Sequence, residues 1–293
     1  MLFNLHTHTR FSDGSAEPEA YIEEALRQGF TTLGFSDHSP VPFENSFAIR
    51  EEELQAYGET IRELQALYSA GGPGASDPAG KSKIQILLAL EIDFIPGITR
   101  TFNEYRQLLA LDYTIGSVHL VRNSDPGHLW FIDGPDIAIY DRGLTGVFNG
   151  DIRKGVTAYY RQIQEMVAIQ KPDIVGHLDK IKMYNRDRYF SEEAPWYVEL
   201  VDETLGLIKE TGCVVEVNTR GIYKKRSETL FPGPAILKKL FQQNIPITLS
   251  SDAHKPHEIS LLFTETKELL YDLGFRELTN FTRAGRETVP LTV

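Results

Sequence analysis

Seven short apolar runs, spread over most of this chain, each end in polar side chains of kinds that bind metal ions or substrates. Amphipathic helical stretches lie between the runs, and this alternation is typical of a parallel sheet joined by helical crossovers. In a (β/α) barrel the carboxyl ends of all strands meet at one face, so we expect these side chains to converge there. Histidine together with carboxylate suits zinc, manganese or iron. The terminal residues are, in chain order, His6 and His8, Asp37 and His38, Glu91, His119, His177, Asn218, and Asp252 and His254.

The same pattern predicts a single barrel domain spanning residues 1–293, because the length fits one barrel and no internal repeat or linker divides the chain. A weaker eighth strand is indicated near Glu277–Thr282. The stretch 69–82 is rich in Gly and Pro, which is typical of a flexible surface loop. Helices are predicted at residues 50–68, 152–170, 196–211, 234–243 and 257–273, after a first helix that ends at Gly29.

The segment 122–150 fits neither the strand nor the helix period. It is rich in Gly, Asp and aromatic residues, and it follows the strand that ends in His119. Loops of this length in compact domains are usually functional or disordered, so we expect it to overhang the site and shape substrate access. Its candidate substrate contacts are Trp130, Phe131, Ile132 and Asp133.

Composition restricts the classes of partner. The formal net charge of -11 disfavours broad binding to nucleic acids or anionic membranes, because both need a positive surface field. The single cysteine, Cys213, begins an apolar run and is expected to be a buried core thiol. No apolar run approaches transmembrane length and no basic leader is evident, which predicts a cytoplasmic protein. The oligomeric state is left open.

Six ordered motifs resemble those of the PHP (polymerase and histidinol phosphatase) superfamily. The resemblance implies a distorted (β/α)7 barrel, similar to a TIM barrel, with up to three metal ions at the carboxyl ends of the strands. Within the superfamily, residues 216–221 and 247–254 resemble the PHP-type histidinol-phosphate phosphatases most. The motifs are His6-Thr-His8 with Ser12-Asp13-Gly14, Ser36-Asp37-His38, Glu91, Gly116-Ser-Val-His119, Gly176-His177-Leu-Asp179 and Ser251-Asp252-Ala-His254.

The resemblance also implies metal sites that share ligands. Many members carry a further histidine one position after Asp13, where this chain has Gly14. Asp13 is the side chain that could replace it at the third site, so two or three divalent ions (Zn, Mn or Fe) are expected. Asp37 is expected to orient a neighbouring ligand rather than to bind metal. The implied ligand sets are His6, His8, Glu91 and Asp252 for the first ion, Glu91, His119 and His177 for the second, and His38 and His254 for the third.

Hydrolysis of a phosphate monoester would explain such a ligand set. The dianion repels nucleophiles and hydrolyses extremely slowly unaided. Clustered divalent metals generate hydroxide near neutral pH and clamp the attacking and leaving oxygens. Glu91, Asp252 and His254 are the predicted catalytic residues. Basic side chains that follow site-facing strand ends would meet the remaining phosphate charge, and the candidates are Arg220, Lys182 and Lys224.

We therefore expect a small phosphorylated substrate, with L-histidinol phosphate of histidine biosynthesis as the leading candidate. One alternative is a PHP phosphoesterase that acts on a nucleotide or a nucleic-acid end. The acidic charge weighs against a polymer but leaves a mononucleotide open. Another alternative is a non-catalytic metal-binding domain, and the complete ligand set of the first site argues against it.

Overall fold

The computed structural model describes residues 1–68, 84–123 and 127–293, so the predicted loop 69–82 lies outside the described residues. The strands are β1 (Phe3–Asn4), β2 (Thr32–Phe35), β3 (Gln85–Asp93), β4 (Tyr113–Ser117), β5 (Leu120–Arg122), β6 (Leu129–Phe131), β7 (Ile174–Val175), β8 (Val214–Asn218), β9 (Ile247–Ser250), β10 (Glu277–Thr282) and β11 (Gly285–Pro290). The helices are α1 (Pro18–Gln28), α2 (Leu54–Tyr68), α3 (Phe102–Leu109), α4 (Ile137–Phe148), α5 (Ile152–Ile169), α6 (Pro195–Thr211), α7 (Arg220–Tyr223), α8 (Pro234–Gln243) and α9 (Phe263–Asp272).

A ring of seven parallel strands forms the centre of the fold, in the order β1-β2-β3-β4-β7-β8-β9. Backbone hydrogen bonds close the ring just beyond the two end strands. The His8 N–H donates to the Ala253 carbonyl (2.8 Å), and the Ala253 N–H donates to the His6 carbonyl (3.1 Å). The strands are buried along nearly their whole length, because helices cover the outer face of such a sheet and the barrel interior covers the other. The predicted seven-stranded barrel is confirmed.

Most of the predicted helices have close to the expected bounds. α1 ends at Gly29, whose φ of 80° lies in the left-handed region that suits glycine. The predicted helix 257–273 is shorter, because Leu262 has a φ of 64° and α9 begins only after it. α3 was not predicted, although Thr101 and Glu104 form a capping box at its start.

The segment 122–150 is not the irregular loop that its composition suggested, because it contains β6 and α4. β6 pairs with β5 as an antiparallel hairpin. Trp130 on β6 is fully buried, and its indole N–H donates to the Tyr140 carbonyl (2.9 Å). A Cβ at Gly143 would lie 2.3 Å from this ring, and one at Gly155 would lie 2.6 Å from it. These glycines therefore make room for the indole rather than provide flexibility.

The second hairpin, β10 and β11, covers the opposite end of the barrel. The Phe281 ring lies 5.5 Å from the Tyr113 ring at the start of β4. The Asn280 side-chain amide donates to Thr32 Oγ1 at the start of β2 (3.3 Å). The weaker eighth strand is therefore real, but it lies outside the barrel sheet and leaves the carboxyl ends of the strands open.

Cys213 is a buried free thiol, as expected. Burial raises its pKa, which keeps the sulfur in its unreactive protonated form. Within the residues that the structure describes, no helix combines the length and the apolar character that a membrane crossing requires.

Candidate metal centre and active site

The side chains that sequence analysis assigned to metal binding converge at the carboxyl ends of the barrel strands. Most of them are buried, with side-chain exposures from 0% for His6 to 12% for His254, whereas Asp13 is 31% exposed. The connections after five of the seven barrel strands deliver one to three of them each, and only Glu91 lies within a strand. The positions are His6, His8 and Asp13 after β1, His38 after β2, Glu91 in β3, His119 after β4, His177 after β7, and Asp252 and His254 after β9.

Glu91 lies at the middle of this cluster. Its Oε2 atom is 3.2 Å from both His6 Nε2 and His38 Nδ1. Its Oε1 atom is 2.8 Å from His177 Nε2 and 3.6 Å from His119 Nε2. The two oxygens of one carboxylate thus face different sets of imidazoles, which is the arrangement that a bridging ligand needs.

Three groups of potential ligand atoms resemble the implied ligand sets, and within each group the atoms lie within 4.8 Å of one another. A fourth group combines His38, Asp93 and His119 and overlaps the others. The three groups are His6, His8 and Asp252; Glu91, His119 and His177; and His8, Asp13, His38 and His254.

The donor set fits divalent cations. His6 Nε2, both ring nitrogens of His8 and His38 Nδ1 are buried with no hydrogen-bond partner among the described residues. Buried polar atoms without partners are costly, and neutral imidazole nitrogens facing carboxylates are the ligands that zinc, manganese and iron accept. Cations between them would satisfy these atoms.

The protonation states of two carboxylates and of His8 suit metal binding as well. Burial alone would raise the pKa of Glu91, but the surrounding imidazoles, His6 foremost, hold it well below its ordinary value. The pKa of Asp252 is likewise held low by His6 in spite of burial. Burial and the neighbouring His254 lower the pKa of His8 well below its ordinary value. The carboxylates are therefore ionised and His8 is neutral, as metal coordination requires. In spite of burial, Glu216 raises the pKa of His6 and Asp93 raises the pKa of His119 to about 9, so cations would have to displace protons from these two rings.

The turn after β1 explains why Asp13 rather than a histidine at position 14 faces the third group. A Cβ at Gly14 would lie 2.1 Å from the His8 carbonyl oxygen, so the backbone leaves no room for a side chain there. Asp13 Oδ1 instead lies 3.1 Å from His254 Nε2. Asp37 holds this turn, because its carboxylate accepts bonds from the Thr9 N–H (2.7 Å) and from Ser12 Oγ (2.6 Å).

A cavity of about 280 Å³ opens above the cluster. Phe47 and Phe131 stack at its edge with ring centroids 5.9 Å apart. Three basic side chains line it, and Arg220 is the one that sequence analysis named: its Nη1 donates to the Asp252 carbonyl (2.8 Å). The residues that line the cavity are Asp13, His38, Ser46, Phe47, Glu91, His119, Phe131, Asp133, Pro135, Lys180, Arg220, Arg226, Asp252 and His254.

Four predicted substrate contacts do not reach the cavity, and one of them, Ile132, is fully buried. Lys182 is buried against Asp179, with Nζ 2.6 Å from a carboxylate oxygen. Lys224 pairs with Glu258 (3.4 Å) outside the cavity. Trp130 lies on the face of β6 that packs on α4 and α5, because successive residues of a strand point to opposite sides. Phe131, the next residue, takes the place at the cavity that was predicted for both aromatics.

Asp133 does line the cavity, where it pairs with a lysine that sequence analysis missed. Lys180 Nζ lies 2.7 Å from Asp133 Oδ2 and 4.0 Å from Asp252 Oδ2. Burial would raise the pKa of Asp133, but Lys180 and His119 lower it, so the carboxylate is ionised. Asp133 Oδ1 has no hydrogen-bond partner among the described residues, and Arg226 Nη1 lies 3.8 Å from it.

Two buried acids that support the cluster were also missed. Glu216 on β8 lies 2.5 Å from His6 Nδ1, and Asp93 at the end of β3 lies 2.8 Å from His119 Nδ1. Asn218, which ends the β8 run, is in none of the ligand groups, and its amide donates to Asp252 (3.2 Å). A signal for both acids was present, since a carboxylate inside an apolar strand is costly unless it is paired.

The closed parallel ring defines a (β/α)-barrel protein, with histidine and carboxylate groups that could hold metal ions at the carboxyl ends of its strands. The chain belongs to the PHP domain family, whose model matches residues 4–220. The resemblance inferred from the sequence motifs is thus confirmed.

Relatives with known names share nearly the whole length of the chain. It is 28% identical over 283 residues to a probable histidinol-phosphatase of Deinococcus radiodurans, covering 95% of this chain and 96% of that protein. It is 26% identical over 278 residues to the histidinol-phosphatase of Bacillus subtilis, covering 88% of this chain and 95% of that protein. The fold also matches the crystal structure of the histidinol phosphate phosphatase of Lactococcus lactis, complexed with zinc, L-histidinol and phosphate. The TM-score is 0.69 at 21% identity, and the match covers 97% of this chain and 98% of that one. At that identity the structural match establishes the shared fold.

Proposed function

We propose that this protein is a metal-dependent phosphatase that hydrolyses L-histidinol phosphate to L-histidinol and phosphate. The observation that carries the proposal is one cavity in which a buried histidine and carboxylate cluster faces three basic side chains. The relatives named as histidinol-phosphatases, which align over most of the chain, support the substrate. Such an activity belongs to histidine biosynthesis.

The three ligand groups would hold two or three divalent ions, with Glu91 shared between the first two. Such ions supply charge neutralisation and activate water near neutral pH. The zinc in the related crystal structure supports zinc as one candidate, and manganese and iron suit the same ligands. Asp13 completes the third group in place of the absent histidine, with His254 as its nearest partner (3.1 Å).

Arg220 and Lys180 are the proposed phosphate contacts of this chain. Both lie beside Asp252 at the base of the cavity, and both stay cationic because neighbouring carboxylates raise their pKa values in spite of burial. Their donors would hold two phosphate oxygens and strengthen as negative charge shifts during transfer. Arg226 lies farther out and is placed to meet the substrate on entry.

The outer cavity suits the histidinol group. The unpartnered Oδ1 of Asp133 would accept a hydrogen bond from the substrate amine, which is cationic near neutral pH. The stacked rings of Phe47 and Phe131 offer an apolar face to the imidazole. The pairing of Asp133 with Lys180 means that one carboxylate would orient both a phosphate contact and the leaving group.

A phosphate-release assay tests the proposal directly. The protein, loaded with zinc or manganese, is given L-histidinol phosphate, nucleoside monophosphates and sugar phosphates at equal concentrations. We expect the highest kcat/KM for L-histidinol phosphate. Turnover of a nucleotide without turnover of histidinol phosphate would favour the alternative phosphoesterase, and no turnover by protein that retains its metal would favour a binding domain.

A further inference from the structure

Strand β8 supplies no member of the three ligand groups, yet the carboxylate of its central residue, Glu216, has four hydrogen-bond partners. Glu216 is fully buried. Oε1 contacts His6 Nδ1 (2.5 Å) and the Ser250 hydroxyl. Oε2 accepts bonds from the His177 N–H (2.8 Å) and from the Asn218 amide (3.1 Å). One carboxylate thus meets four donors, and two of them belong to proposed ligands of different metal ions.

The bond to His6 decides which ring nitrogen can bind metal. His6 Nε2 faces Glu91 and Asp252 in the cluster, so it must be unprotonated to coordinate. The proton then resides on Nδ1, where it needs an acceptor, and Glu216 Oε1 is that acceptor. A carboxylate on the outer nitrogen also fixes the orientation of the ring.

The bond to His177 acts on the backbone instead. His177 has a φ of 21°, which is unusual for a residue with a side chain. Its N–H donates to Glu216 Oε2, and its ring turns from there towards Glu91. Removing that acceptor would release a backbone conformation that the side chain itself disfavours.

We propose that Glu216 is a positioning residue that couples the first two metal sites, because one oxygen orients the His6 ring and the other holds the His177 backbone. This inference rests on the metal dependence in the proposed function and not on the identity of the substrate. Asp93 provides the contrast. Its Oδ1 atom bonds both the ring (2.8 Å) and the N–H (3.1 Å) of a single ligand, His119.

The isosteric change Glu216→Gln tests the coupling because an amide cannot accept four donors. If its NH2 group faces the His177 N–H and the Asn218 amide, these three donors meet without an acceptor. If the NH2 group faces His6, it donates to Nδ1 and drives the proton to Nε2, which abolishes coordination there. In either orientation one ligand loses its support, and exchange between the two orientations weakens both sites.

Zinc binding is measured against a chelator that buffers free zinc, with the ions retained per chain counted by elemental analysis. We expect Glu216→Gln to lower the affinity for two ions by about 10- to 100-fold each. Asp93→Asn should lower the affinity for one ion. Ser250→Ala, which removes one donor to the same carboxylate without touching a ligand, should leave the binding curve close to that of the wild type.

Two results would overturn the proposal: a binding curve for Glu216→Gln that superimposes on the wild type, or a loss confined to one ion in both Glu216→Gln and Glu216→Ala, because alanine removes both acceptors. Thermal melts of the metal-free variants establish folding. If Glu216→Gln does not fold, nitrogen NMR of the zinc-loaded wild type decides the matter, because the proposal requires a proton on His6 Nδ1 and none on Nε2. All these measurements are independent of phosphatase activity, so failure of the proposed substrate would leave them interpretable.

Discussion

Replacing Arg220 with methionine separates a phosphate contact from a structural residue. The guanidinium is 15% exposed. Its Nη1 donates to the Asp252 carbonyl (2.8 Å) and to the Tyr223 hydroxyl (3.4 Å), which leaves three of its five donors for the cavity. Losing one preorganised donor to developing negative charge costs about 2.7–4 kcal/mol, or about 10²- to 10³-fold in rate. We therefore expect kcat/KM for L-histidinol phosphate to fall by about 10²-fold or more, chiefly through kcat.

Metal content should stay intact in this variant, because the Tyr223 hydroxyl (3.2 Å) still donates to the Asp252 carbonyl. Lys224→Met is the matched control. Lys224 approaches the same acid, Glu258 (3.4 Å against 3.8 Å for Arg220), but lies outside the cavity. Steady-state kinetics and elemental analysis compare the two. Equal kinetics in Arg220→Met and Lys224→Met, or a rate loss that merely follows metal loss, would refute a phosphate contact.

Three further predictions follow from the site and its supporting turn. Glu91→Gln should lose more metal and more activity than His38→Gln, because Glu91 faces ligands of two ions. Wild-type metal content and turnover in Glu91→Gln would contradict the shared site. Asp133→Asn should lower kcat/KM for L-histidinol phosphate far more than for p-nitrophenyl phosphate, which lacks the amine, whereas equal losses would place Asp133 at the phosphate instead. Gly14→Ala should lower the melting temperature, because its Cβ would lie 2.1 Å from a backbone oxygen, whereas Gly206→Ala in α6 has open space around it and should raise the melting temperature slightly. Melting temperatures that shift in the same direction in both variants would argue against the tight turn.

The sequence was most informative where topology alone determines proximity. Parallel strands of a closed barrel bring their carboxyl ends to one face whatever the connecting segments do. His6, Glu91 and His177 could therefore be grouped, although successive members are 85 and 86 residues apart in the chain. Their contacts in the structure, such as the 2.8 Å between His177 Nε2 and Glu91 Oε1, follow from that rule.

The sequence was least informative where side-chain direction depends on the local turn. Lys180 and Lys182 are two residues apart in a 3₁₀ turn, so their directions differ by about 240°. Lys180 consequently faces the cavity, and Lys182 packs against Asp179. A strand or an α-helix at this position would have given other directions, and the sequence does not distinguish these cases over three residues.

The segment 122–150 shows a different difficulty. Its glycines and aromatic residues were interpreted as signs of an irregular loop, but Gly143 has no side chain because the Trp130 ring occupies that space. Glycine required by packing and glycine required by a turn look identical in a sequence. Only the partner ring, supplied by a strand 13 residues away, distinguishes them.

The charges of the site, taken together, explain why cations are needed before a phosphate can enter. Four carboxylates and three basic side chains line the cavity, and the buried acids Glu216 and Asp93 lie behind it. With every histidine neutral this leaves an excess of three negative charges. The raised pKa values of His6 and His119 favour their protonated forms, which would offset two of these charges, and the remaining excess still repels a phosphate dianion. Two divalent ions reverse the sign, and three leave an excess that exceeds the charge of the dianion. The ligand set therefore both attracts the ions and depends on them to attract the substrate.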